Sequence, residues 1–396
     1  MLELDLPAAG GTLERFRVSA APDLPAPSGE SARSRVCYAA AHVVADPLAD
    51  ADPVDDPRID WEATLAFRRH LWSHGLGVAD AMDTAQRGMG LGWEDARELI
   101  ARSAAEARAA GGLIACGAGT DQLESGAVHS LETVREAYLE QCAFVADHRA
   151  TVVVMASRAL AASASGPDDY RAVYDAVLAD ADSPVILHWL GEAFDPALAG
   201  YWGAAEPERA VELVQALIAD HADRIDGIKV SLLDDELELA LRRGLPDGVR
   251  VYTGDDYNYA RLIRGDAEGH SDALLGILDG IAPVASAALA ALDAGDLERY
   301  DHLLSPTLPF SRHVFAAPTR HYKTGLVFLA YLNGHQSHFR MVGGLEGARS
   351  ILHLAGLFRL ADAARLLSDP ELAAARMRHA LALAGVESDV RTGIAS

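Results

Sequence analysis

Residues 184–230 read PVILHWLGEAFDPALAGYWGAAEPERAVELVQALIADHADRIDGIKV. The stretch opens on an apolar run, PVILHW at 184–189, and closes on another, IDGIKV at 225–230. Between them PERAVELVQALIADHAD places its apolar residues three and four apart, the spacing that gives a helix one buried face. The two runs are continuous rather than alternating, so they read as strands covered on both faces. The unit is therefore strand, helix, parallel strand.

The same unit recurs on either side. Apolar runs at Val36–Val44, Gly77–Met82, Leu113–Cys116 and Thr151–Met155 precede it, and runs at Val249–Tyr252 and Gly269–Leu275 follow. Helix-period segments such as WEATLAFRRHLWSHG, EDARELIARSAAEARAAG and LETVREAYLEQCAFVADH lie between them. Eight such runs over about 250 residues predict an α/β fold of the closed (β/α)8 TIM-barrel kind. An open doubly wound sheet would carry a glycine-rich phosphate loop after its first strand, and VCYAAAHVVADP contains no glycine. Residues 1–34 are expected to form a hairpin or arm with a linker, 35–285 the barrel, and 286–396 a helical extension packed against it.

Composition narrows the function classes. The 396-residue chain has a formal net charge of −24, which disfavours nucleic-acid partners. No apolar run reaches the ~18 residues of a membrane span, and no signal-peptide pattern opens the chain, so a cytoplasmic protein without a membrane partner is expected. Cys37, Cys116 and Cys142 are far apart and lack zinc-site spacing. Of 34 basic residues only Lys229 and Lys323 are lysines. Arginine can replace lysine in surface ion pairs, but it cannot release its proton to form an imine. Where the chain keeps a lysine, amine chemistry is a reasonable expectation.

In a barrel of this kind chemistry gathers at the C-terminal ends of the strands. Thr120, Asp121, Ser157, Arg158 and Asp256 fall there, and with them the candidate site residues His42, Asp83, Thr84, Gln86, Arg87, His188, Lys229, Ser231, Gly254, Asp255, His270 and Ser271. Lys229 interrupts an otherwise apolar strand, where desolvation lowers an amine toward its nucleophilic neutral form. His188, on the preceding strand, suits general acid–base work. The other ten candidates are expected to bind substrate, with DTAQRG (83–88) the densest polar cluster. Gly254-Asp255-Asp256 also fits an ordinary turn, and Lys323 is expected to serve packing or a subunit contact.

These residues resemble, in order and spacing, the dihydrodipicolinate synthase/N-acetylneuraminate lyase superfamily of class I aldolases. The likeness runs from about residue 36 to residue 285. Gly227-Ile228-Lys229 resembles the imine-forming strand of that superfamily, and DTAQRGMGL (83–91) occupies the slot of its carboxylate-binding loop. Gly254-Asp255-Asp256 and Gly269-His270-Ser271 resemble its seventh- and eighth-strand motifs. TGDDYNY, GHSDALLGI and HYKTGL together resemble a divergent branch of it. The departures are His188 in place of the relay tyrosine, Ala85 for a threonine, Arg87 for a glutamate, and MASRALAAS without the tyrosine pair.

The resemblance implies a Schiff-base-forming lyase, of retro-aldol or dehydratase type, acting on a keto acid or keto sugar in carbohydrate catabolism. It implies no cofactor beyond the covalent imine on Lys229. It also implies a homodimer or homotetramer, for which the apolar helices after residue 320 would provide an interface. Two alternatives stand beside it. One is a metal-dependent sugar isomerase or epimerase with His42, Asp83, His188 and His270 as ligands. The other is a non-catalytic carbohydrate-binding protein.

Overall fold

The computed structural model describes residues 2–83, 87–124 and 126–386. Among these, β1 (Glu3–Pro7) and β2 (Leu13–Arg17) form an antiparallel hairpin. Eight parallel strands then close into a barrel: β3 (Cys37–Ala40), β4 (Gly77–Asp80), β5 (Ile114–Ala118), β6 (Thr151–Val154), β7 (Val185–Leu190), β8 (Ile225–Ser231), β9 (Arg250–Thr253) and β10 (Asp272–Leu275). Helices run between them on the outside, as the apolar periodicity requires.

Residues alternate between two environments along each strand. Tyr38, Ala40, Ala79, Ala115, Val153, Ile186, Tyr252 and Leu274 face the barrel axis and form a buried cluster of their own with Met82 and Met155. Their neighbours, such as Cys37, Val78, Val154, Leu187 and Ile228, pack against the surrounding helices in the larger core. On β8 this alternation turns Gly227, Lys229 and Ser231 inward, since Ile228 and Val230 face the helices. Gly227 has to be glycine: a Cβ there would lie 2.6 Å from the Arg250 carbonyl oxygen and 2.8 Å from the Tyr252 ring.

From Leu278 the chain is helical, with helices at Leu278–Asp293, Leu297–Leu304, Thr307–Val314, Tyr322–Leu332, Ile351–Ala363 and Pro370–Leu383. Every residue of Tyr322–Leu332 is buried, the signature of a helix surrounded by protein. It packs on Leu278–Asp293, Ile351–Ala363 and Pro370–Leu383. The apolar surface of that helix is consumed within the chain, so among the helices after residue 320 it offers no face for the expected subunit interface. The N-terminal hairpin docks on the same helices, with Arg359 donating to the Pro7 carbonyl at 3.0 Å and Ser19 to Asp362 at 2.9 Å. No helix among the described residues is long and apolar enough to cross a membrane.

Candidate active site

Lys229 sits inside the barrel beside His188 on β7 and Tyr252 on β9, and its side chain is only 7% exposed. Among the described residues its ammonium has no hydrogen bond and no carboxylate within ion-pair distance. Burial lowers its pKa, Asp256 and Asp83 act in the opposite direction, and Lys323 adds to the lowering. The amine is therefore closer to its neutral form than an exposed lysine.

Asp256 is the carboxyl that answers it. Burial pushes its pKa up, against the backbone amide of Ile277, which donates to it at 2.8 Å, and against the charge of Lys229. Asp255 is buried too, but both its oxygens serve its own turn. One accepts from the amides of Tyr257 (2.8 Å) and Asn258 (3.1 Å), the other from the Asn258 side chain (3.0 Å). Of the expected Gly-Asp-Asp triplet, then, the second aspartate faces the lysine and the first builds the turn. β9 ends at Thr253, and Asp256 lies in the turn beyond it, where strand alternation no longer applies. Gly254 leaves room for this arrangement, because a Cβ there would lie 2.2 Å from Ser231 Oγ and 3.1 Å from Lys229 Cε.

His188 lies level with Lys229, its Nε2 3.2 Å from Ser231 Oγ and its buried Nδ1 unpartnered among the described residues. Burial, then the charge of Lys229, drives its pKa well below the usual histidine value, so the ring is neutral near pH 7. A neutral imidazole donates at one nitrogen and accepts at the other, which suits it to pass a proton.

The other expected residues divide. Asp83 lines the mouth and pairs with Arg158 at 3.1 Å; burial raises its pKa and Arg158 opposes this. Arg87 is buried and fully engaged. Its guanidinium donates to Asp121 (2.5 and 2.9 Å), to Gln141 (2.5 Å) and to the carbonyls of Ala81 (3.1 Å) and Gly117 (2.7 Å). That corrects its expected role, since it braces the ends of β4 and β5 instead of offering donors to substrate. His42 is wholly buried, with Nδ1 3.0 Å from Asp279 and its ring against Phe67. Thr84 and Gln86 lie outside the described residues.

His270 and Ser271 are corrected in position. β10 begins only at Asp272, whose carboxylate accepts from the Val36 amide just before β3, so residues 270–271 enter the barrel from its N-terminal end. His270 sits among Arg35, Arg242 and Arg250, and Ser271 donates to Glu238 at 2.7 Å. The proposed metal set of His42, Asp83, His188 and His270 is consequently not assembled. Among the described residues no group of three or more histidine, cysteine or carboxylate side chains is placed to hold a metal ion.

Lys323 is packed within the chain, the first of its two expected roles. Helix Tyr322–Leu332 carries it into the barrel rim, where Nζ donates to the Ala40 carbonyl at the end of β3 and to Asp279 at 2.9 Å. Burial pushes the Asp279 carboxyl up, but Lys323 and then His42 overcome this and hold it well below the usual carboxylate range. Neither Asp279 nor the reach of Lys323 was visible in a local motif.

Above the barrel a cavity of about 440 Å³ opens over the ends of β4 to β7, within the range of small-molecule sites. Asp83, Thr120, Met155, Ser157, Arg158 and Arg320 contribute to its wall. Lys229 is not part of that wall. Met155, one residue beyond β6, belongs both to that wall and to the inward-facing cluster of Tyr38, Ile186 and Tyr252 inside the barrel.

The architecture is that of the dihydrodipicolinate synthases. The enzyme from Bacillus anthracis superposes with a TM-score of 0.60 at 16% identity, covering 82% of this chain and 98% of its own. The enzyme from Aquifex aeolicus gives 0.60 at 13% identity over 89% and 98%, and that from Bacillus clausii 0.60 at 13% over 83% and 97%. At such identity the likeness shows the fold. No curated protein matches the sequence. A family model described as a protein of unknown function, DUF993, matches residues 4–386, and the chain belongs to that family.

Proposed function

We propose that this protein is a Schiff-base-forming lyase acting on a keto acid or keto sugar, with Lys229 as the nucleophile. The observation that carries the reading is the position of Lys229: an inward-facing, buried amine without an ion-pair partner among the described residues, level with a neutral imidazole and under the charge of a buried carboxyl, Asp256.

The chemistry follows from those groups. The neutral amine adds to the substrate carbonyl carbon and gives a carbinolamine. Asp256 donates a proton to the hydroxyl, which leaves as water, and an iminium forms. His188, with Ser231 beside it, removes a proton from a β-hydroxyl. The Cα–Cβ bond then breaks, its electron pair passes into the iminium as an enamine, and an aldehyde leaves. In the dehydratase variant His188 instead removes the α-proton and returns it to the β-hydroxyl, which departs from the enamine as water and leaves a conjugated iminium that needs only hydrolysis; the carbon protonation that follows belongs to the retro-aldol route. Protonation of the carbon skeleton and hydrolysis of the iminium return the free lysine. Retro-aldol cleavage of sugar-derived substrates would place the enzyme in carbohydrate catabolism.

The test is intact mass after incubation with small keto acids and keto sugars plus borohydride. An adduct of reduced-imine mass that vanishes in Lys229→Ala and persists in Lys323→Ala is expected. Absence of adduct with every carbonyl compound tried would overturn the reading.

A further inference from the structure

We infer that Arg320, contributed by the C-terminal extension, is the specificity residue of the cavity and takes an anionic group, carboxylate or phosphate, at the end of the substrate remote from the reacting carbonyl. The inference deepens the Schiff-base reading and rests on it for the position of that carbonyl.

The charges lining the cavity are mostly matched to one another. Arg87 holds Asp121, and Arg158 holds both Asp83 and Asp195. Arg320 differs: among the described residues it has no carboxylate within ion-pair distance, and its recorded contact is Nε donating to His321 Nε2 at 3.3 Å. A guanidinium with free donors at a cavity wall is suited to planar, bidentate capture of a carboxylate or phosphate. Glu124, on the loop after β5, is the other lining charge without an ion-pair partner, and it would direct an anionic group away from itself. Thr120 and Ser157, buried and 2.6 Å apart at their hydroxyls, line the same cavity as partners for a polar chain.

The segment that bears Arg320 is built to hold it. Phe315 and Tyr322 stack with ring centres 4.4 Å apart and planes 17° apart, and Phe194 from the cavity wall meets both edge-on at 6.3 Å. Arg349 donates to the carbonyls of Ala316 (2.5 Å), Pro318 (3.1 Å), Ala317 (3.3 Å) and Val314 (3.4 Å). The backbone on the N-terminal side of Arg320 is thus stitched down while its side chain is left at the cavity.

Matched pairs of ligands test this: a keto sugar with and without a terminal phosphate, and a keto acid with one or two carboxylates. Each is trapped with borohydride on the wild type, Arg320→Ala and Arg320→Lys. The concentration for half-maximal trapping of the anionic member should rise roughly 10- to 100-fold in Arg320→Ala. It should recover partly in Arg320→Lys, with the maximal rate and the less charged partner unmoved. The pair that responds identifies the anion. Equal shifts for both members of each pair, or no shift, would overturn the inference. If the wild type traps nothing, the Schiff-base reading fails by itself. Calorimetry of the same compounds on Lys229→Ala and Lys229→Ala/Arg320→Ala then decides Arg320 separately: binding of the anionic compounds lost only in the double variant supports it, and equal or no binding overturns it.

Discussion

Lys229 and Lys323 are 7% and 2% exposed, and burial lowers the pKa of both. They differ in what surrounds them. Lys323 meets a carboxylate that His42 and Lys323 together keep ionised, and it also caps the end of β3. Lys229 has no carboxylate within ion-pair distance among the described residues; it feels the charge of Asp256, a carboxyl whose own burial favours the neutral acid, and stands level with a neutral imidazole. One amine is held in an ion pair, the other has no such partner among the described residues and is available as a base or nucleophile. Pairing, rather than burial, separates a structural lysine from a reactive one.

The largest test of that contrast is Lys229→Ala. It should cost about 10⁴-fold or more in single-turnover rate, the scale of losing a nucleophile, while the melting temperature holds, because no ion pair is broken. A melting temperature that falls as far as in the Lys323 variant would break the comparison. Lys323→Met should do the reverse. It strands Asp279 as a buried charge and should lower stability in urea by about 3–5 kcal/mol, with trapping at Lys229 retained.

Asp256→Asn and Asp255→Asn sharpen the comparison further. The first should slow trapping by roughly 10²- to 10³-fold, the range for a proton-transfer group. The second should leave the trapping rate nearly unchanged and lower stability by about 1 kcal/mol through its turn hydrogen bonds. An equal loss of rate in both would mean that the turn, not the carboxyl beside Lys229, matters.

The smallest expected effect is in pH dependence. Only the neutral amine adds to a carbonyl, and burial lowers the folded pKa of Lys229, so trapping should rise with pH and level off below the ~10.4 of an ordinary lysine. Between those two values the unfolded chain holds more protons on Lys229 than the folded chain. Its contribution to stability therefore rises with pH across that window. A trapping profile centred on the ordinary value would show a solvated amine.

The barrel was legible because both its signals are local: continuous apolar runs for the strands, and three- and four-residue spacing for the helices. Its last strand was misplaced because GHSDALL is read as one run although only Asp272–Leu275 pairs in the barrel, and that shift carried His270 and Ser271 to the wrong end. Lys229 and His188 were legible from polar residues interrupting apolar strands. Asp256 was placed at the seventh strand end with Asp255, but which of the two serves the turn depends on hydrogen bonds that no local pattern shows. Arg320 and the inward reach of Lys323 were not legible, because a segment far along the chain brings them to the barrel, and Asp279 lies just past the last strand in a stretch without a local motif. Arg87 misled for a related reason: a guanidinium in a polar loop looks available until Asp121 and Gln141 close on it.

The most direct measurement is peptide mapping of the borohydride adduct in the wild-type protein, where only two side-chain amines can carry it. The account predicts the added mass on the peptide containing Lys229, with the Lys323 peptide unmodified. An adduct on Lys323, with Lys229 unmodified, would contradict it.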